Sequence, residues 1–183
     1  MQHGVEKLSI SMRRFAAKWS SKTLATKQNM VRWNQQFKGN CPFCLEEDKT
    51  TTHIVQCQHV HAYDAWNKGL LQLIKKLNKL KTCWKLMIAI RSKLNAWKKG
   101  EITSAHMFPR LIQEAIFEQR SLGWDMFLEG FISNKWFEYI QIYFRRKNIR
   151  CSPQTWFHRL IKYNWEFIFH IWDQRNQQLH NTE

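Results

Sequence analysis

The sequence predicts an all-α fold carrying one metal knuckle near its N-terminal third, and three observations lead there. Glycine and proline are scarce, at six and three in 183 residues, so few positions demand a turn. No stretch alternates apolar and polar residues long enough for a strand, whereas apolar residues recur at three- and four-residue spacing through most of the chain. Finally, "CPFCLEEDKTTTHIVQC" (41–57) gathers three of the five cysteines and a histidine into one polar segment.

The elements follow in order. Leu8, Met12, Phe15 and Trp19 share one face of a first helix over 8–19. A second runs over 24–37 with Leu24, Met30, Val31, Trp33 and Phe37, and Gly39 ends it. After the cysteine loop, a helix starting at His53 continues through Tyr63, Trp66, Leu70, Leu73, Ile74 and Leu77. The next opens near a capping Thr82 and stops at Gly100, with Leu86, Ile90, Leu94 and Trp97 on one face. Pro109 opens a helix that Gly123 ends or kinks, and Ser133 caps "NKWFEYIQIYFRRKN". Ser152-Pro153 opens the last and longest helix, striped by Phe157, Leu160, Ile161, Ile168, Ile171, Trp172 and Leu179. With ten tryptophans and twelve phenylalanines, aromatic rings are expected to fill the core. Trp84, Trp97, Trp124, Trp136, Trp156 and Trp172 all read as core positions. The chain divides into basic helices plus knuckle (1–66) and an aromatic-rich helical domain (67–183).

Twenty-nine Lys and Arg against 14 Asp and Glu give a net charge of +15. Such a surface attracts polyanions, of which nucleic acid is the commonest inside cells. A membrane is not expected as partner: the most apolar stretch, "WEFIFHIW", is broken by Glu166 and His170. The N-terminal residues lack a signal-peptide design, so the expected location is intracellular, nuclear or cytoplasmic. In a reducing compartment clustered cysteines point to metal rather than to disulfides.

Cys41 and Cys44 form a C-x2-C pair turned by Pro42 and Phe43. His53 follows after eight residues and Cys57 after three more. If a helix has begun by His53, the i, i+4 spacing sets His53 and Cys57 on one face. Two ligands from a turn and two from a helix suit a tetrahedral ion, and thiolate with imidazole selects zinc. Cys41, Cys44, His53 and Cys57 are thus the expected ligands, with His59 or His61 as the alternative to Cys57.

Residues 18–66 carry a further signal. Leu24-Ala25-Thr26, the pair Cys41-Pro42-Phe43-Cys44, the acids Glu46 and Glu47, then His53, Cys57 and Trp66 stand in sequence. This order resembles the zinc-binding segment that follows the polymerase in non-LTR-type retrotransposon reverse transcriptases. Ala25 stands where that family usually has proline, and the His53–Cys57 spacing is one residue shorter than its commonest form. "SLGWDMFLEGFISNKW" (121–136) and "IWDQRNQQLH" (171–180) are similar to retroelement-like proteins of microalgae. The resemblance implies a C-terminal region of such a protein, with an upstream or separate reverse transcriptase polypeptide as partner. No Tyr-x-Asp-Asp-like polymerase sequence occurs in the chain.

The basic residues preceding the knuckle complete the functional expectation. Arg13, Arg14, Lys18, Lys22, Lys27, Arg32 and Lys38 lie in a stretch without an acid between Glu6 and Glu46. They are expected to neutralise phosphates, with Trp33 and Phe43 stacking on unpaired bases. Lys75, Lys76, Lys79 and Lys81 form a second basic group, and Arg145, Arg146, Lys147 and Arg150 a third. The expected function is a zinc-knuckle, nucleic-acid-binding region that holds RNA or target DNA without chemistry of its own. The alternative class is a zinc-stapled scaffold or protein-interaction module. A metal-dependent nuclease is a third, on Glu114 with Glu118 or Asp125 with Glu129; these read more simply as helix-face acids. Cys151 with His158 is poorly spaced for a nucleophile and its base. Arg175, Asn176 and His180 read as a polar helix end.

Overall fold

The computed structural model describes residues 8–33, 41, 43–45 and 50–180, without the side chains of Lys27, Leu179 and His180. The described residues form α1 (Ile10–Ser20), α2 (Lys27–Arg32), α3 (His53–Gln56), α4 (Val60–Lys79) and α5 (Trp84–Lys99). There follow α6 (Arg110–Leu122), α7 (Trp124–Glu129), α8 (Asn134–Arg146) and α9 (Pro153–His180). No strand occurs among them, and no helix is long and apolar enough to cross a membrane. The expected all-α class is the observed one.

α4 and α9 make the central pair, and the other helices pack around them. Their crossing is close because residue 69 is glycine: a Cβ there would meet Phe167 Cδ2 at 2.7 Å. Beside it Trp66 stands edge-on to Phe167, centroids 4.9 Å apart. Trp19, Trp66, Trp136 and Trp156 are all fully buried, so aromatic rings do fill the interior. α1 joins the same core through Phe15, whose ring meets Phe169 edge-on at 5.1 Å. α4 passes through residue 66 unbroken, and Phe15, Trp19 and Leu24 share one apolar cluster with Leu160 and Ile168.

Local capping explains where the helices begin. Ser9 Oγ accepts from Met12 N at 3.2 Å, and Ser133 Oγ from Lys135 N at 3.1 Å, each satisfying an amide that the helix leaves orphaned. Thr26, fully buried, accepts from Asn29 N at 3.3 Å and starts α2, while Leu24 fills the core just before it. Leu24 and Thr26 therefore act as anchor and cap. Gln119 joins α6 to α8: its amide donates to Gly123 O and Phe131 O, and its oxygen accepts from Ser133 N at 2.9 Å.

Four expectations are corrected. Thr82 does not cap α5: the cap residue is Cys83, with no side-chain hydrogen bond, and Thr82 Oγ1 donates back to Leu77 O at 2.6 Å. α2 spans only Lys27–Arg32, and Val31 and Trp33 are exposed instead of lining a core stripe; Phe37 and Gly39 lie outside the described residues. The helix that starts at His53 does not run on into α4. It stops after one turn at Cys57, whose ψ of 128° is extended, and α4 restarts with His59 as its cap. Trp84 is not core but 62 % exposed. It precedes Ile90 by six residues, about 120° round the helix from the Leu86–Ile90–Leu94 face.

Candidate metal centre

Cys41, Cys44, His53 and Cys57 converge, their donor atoms all within 4.8 Å of one another. Cys41 Sγ lies 3.9 Å from Cys57 Sγ, and Cys44 Sγ lies 3.4 Å from His53 Nε2. Metal–thiolate and metal–imidazole bonds of about 2.3 and 2.0–2.1 Å put tetrahedral donors about 3.5–3.8 Å apart. These two separations lie within about 0.1 Å of that range, and all donors lie within 4.8 Å, so the residues could hold a four-coordinate ion. His53 and Cys57 reach it because α3 completes one turn: Cys57 N donates to His53 O at 2.7 Å. On the other arm Leu45 N donates to Cys41 O at 3.0 Å, closing the C-x2-C turn, with Leu45 at a φ of 60°.

Among the described residues the converging group takes in Cys57 and neither His59 nor His61. Cys57 belongs to the group, while His59 lies flat against Phe43, centroids 5.8 Å apart at 2°. His59 Nδ1 instead accepts from His61 N at 3.3 Å. Cys41 and Cys57 are buried, Cys44 and His53 half-buried. The hydrogen bond from Cys57 draws the Cys41 thiol down to about 3 against the opposing effect of burial, and the same bond pushes Cys57 up. Thiolates are the ligating form, so binding an ion at this pair would release the proton they hold.

One residue of the centre was not anticipated. Lys98 is 2 % exposed, and its Nζ donates to Val55 O at 2.9 Å and Cys57 O at 3.0 Å. It also lies over the rings of Tyr63 and Trp66 at 4.5 and 5.1 Å. Burial lowers its pKa to about 8, and the Cys57 charge pulls the other way. Were a divalent ion held by three thiolates, the group would carry one net negative charge, and this lysine stands beside Cys57. Gln58 closes the loop from the other side, donating to Lys98 O at 2.8 Å. The signal was present in the sequence: the step Leu86, Ile90, Leu94 lands next on Lys98, a lysine at a core position.

The expected nucleic-acid residues divide. Arg13, Arg14 and Lys18 are exposed on the outer face of α1, and Arg32 and Trp33 are exposed at the end of α2. Lys22 is half-buried and engaged: it pairs with the buried carboxylate of Glu129, lies 5.5 Å from the Trp19 centroid, and has a φ of 58°. It anchors α1 to α7. Phe43 is 7 % exposed beneath His59, so its expected open stacking face does not exist; it packs in a small cluster with Cys41, Cys57 and Ala62 instead. Lys38 and the Lys27 side chain lie outside the described residues, as do Pro42, Glu46 and Glu47. Of the acids considered for a nuclease, Glu129 is held by Lys22, and Glu114 pairs with Arg110 at 3.1 Å. No family model matches this chain, and no curated protein or solved structure matches it significantly.

Proposed function

We propose that this chain is a zinc-stapled nucleic-acid-binding region of the kind that follows the polymerase in non-LTR retrotransposon reverse transcriptases. The Cys41–Cys44–His53–Cys57 convergence carries the reading. Three sulfurs and one imidazole at tetrahedral spacing favour zinc over harder ions. Four protein ligands leave no coordination position for a reacting water, so the metal is structural. Its work is to fold the 41–57 loop onto α4 and α5 beside the acid-free basic segment. Arg13, Arg14, Lys18 and Arg32 then supply phosphate contacts on a surface with no acid between Glu6 and Glu46. The charge of +15 supports the same reading through its attraction for polyanions.

The test is a salt titration. Single-strand binding weakens with a slope of roughly −0.7 in log K against log salt per phosphate neutralised, so four contacts give about −2.8. Replacing Arg13, Arg14, Lys18 and Arg32 together by Gln should flatten the slope by that amount and weaken all sequences alike. Equal binding by variant and wild type would remove this surface from the function. The burial of Phe43 and the engagement of Lys22 favour a second reading, in which zinc only staples helices and the module binds protein. Failure of the wild type to bind any nucleic acid at low salt would select it.

A further inference from the structure

The second and third basic groups of the sequence, about seventy residues apart, meet in the fold. The turn joining α4 to α5 and the turn joining α8 to α9 enclose a cleft of about 720 Å³. Its walls present Lys79, Lys81, Lys147, Arg150 and Arg159, all exposed, and no acidic side chain lines it. None of the five cations makes a salt bridge among the described residues. Trp84 stands on the same wall, 62 % exposed, with Lys85 Nζ 5.6 Å from its ring centroid. A second hollow of about 420 Å³ shares Ile149, Arg150 and Cys151 with the first, so the basic channel continues round the α8–α9 turn past Arg145.

This cleft is remote from the metal centre. α4 runs from the centre to the cleft and α5 runs back, ending at Lys98 beside Cys57. At 1.5 Å per residue those helices hold the two features about 24–30 Å apart.

We infer that the cleft is a second binding site, for single-stranded nucleic acid, in which Trp84 stacks on an unpaired base and the five cations hold the flanking phosphates. The pattern of an open indole set among unpaired cations, without acids, is what single-strand channels combine. A duplex offers such an indole no base face, and an acidic peptide makes no use of it. The inference rests on the nucleic-acid reading above but places contacts on a face that shares no residue with α1 or α2.

Two measurements test it on the full-length, zinc-loaded chain. An iododeoxyuridine-substituted single strand is photocrosslinked to the wild type, and the modified peptide is identified by mass spectrometry. The crosslink is expected at Trp84. Crosslinks confined to residues 9–33 or to the 41–57 loop would overturn the cleft while leaving the α1 surface standing. In parallel, Trp84→Ala should weaken binding roughly 5- to 150-fold, the range for losing one stacking platform, with the salt slope unchanged. Lys81, Lys147, Arg150 and Arg159 replaced together by Gln should flatten the slope by about 2.8. Loss of affinity in the α1 variant but in neither cleft variant overturns the inference alone; no binding by the wild type overturns it together with the parent reading. Displacement of the oligonucleotide by poly-glutamate at equal charge concentration would also overturn it, since the cleft would then select charge and not bases.

Discussion

Lys98 shows how one side chain can tie a metal loop to a helical core. Its ammonium satisfies two carbonyls next to the ligands and sits over two aromatic rings. Lys98→Met keeps the stem and removes the donors, leaving the Val55 and Cys57 carbonyls buried without them. Outer-sphere losses of this kind typically lower metal affinity 10- to 100-fold, and each stranded buried carbonyl costs about 1–3 kcal/mol. A competition titration against a chromophoric chelator should show the weaker affinity. Cys44→Ser acts more directly: it removes one of four ligands, and elemental analysis of the purified variant should find the zinc lost. His170 gives a pH signature unrelated to the metal. Its Nε2 is buried without a partner, and burial holds its pKa below the usual 6.5. The unfolded chain therefore takes up the proton first, so as pH falls through 6.5 this group destabilises the fold. The facing charges are Asp173, which opposes that shift, and Lys68 and Lys76, which add to it. His170→Gln should lose less thermal stability than wild type between pH 7.5 and about 5.5, read as the difference between two melting profiles.

At the scale of elements, the contacts between helices are specific enough to be broken singly. Gly69 lets α4 approach α9, and Gly69→Ala pushes a methyl toward the Phe167 ring. Overpacking of this sort costs about 1–3 kcal/mol, measurable as a lower denaturation midpoint. The α4–α5 turn is joined to α9 by a buried relay: Trp156 Nε1 donates to Thr82 Oγ1 at 2.7 Å, and Thr82 Oγ1 donates to Leu77 O at 2.6 Å. Thr82→Val preserves shape but strands the indole N–H, at a cost of about 1–3 kcal/mol. The same relay fixes the wall on which Trp84 stands, so the variant should also blur any footprint there.

At the scale of the whole molecule, the described residues form two apolar clusters. Cys41, Phe43, Cys57 and Ala62 form a small one at the metal, and the large one runs from Phe15 to Ile171. On the zinc reading proposed above, the ion would supply folding energy chiefly to the first, since a structural site contributes about 10–16 kcal/mol of apparent binding energy in small modules. Chelation should therefore release the 41–60 segment while helical circular dichroism changes little. Proteolysis should then cut near 41–60 and spare the remainder. Collapse of the whole helical signal on chelation would show instead that the two clusters fold as one.

The sequence by itself determined the helical class, the cap at Ser133, and the four residues of the metal-binding group, because each follows from spacing a few residues wide. C-x2-C and H-x3-C are local geometry, and a tetrahedral ion asks for little more. Only the tertiary structure decided what the aromatic and basic residues do. Phe43 and Trp84 are both aromatic, yet one is covered by His59 and the other stands open, because exposure depends on which distant element arrives above a ring. Lys22 and Lys81 both adopt a positive φ; the first is taken by Glu129, 107 residues away, while the second lines a basic cleft. Charge patterns record how many cations a chain carries. Long-range packing decides which of them find a carboxylate and which remain for a ligand.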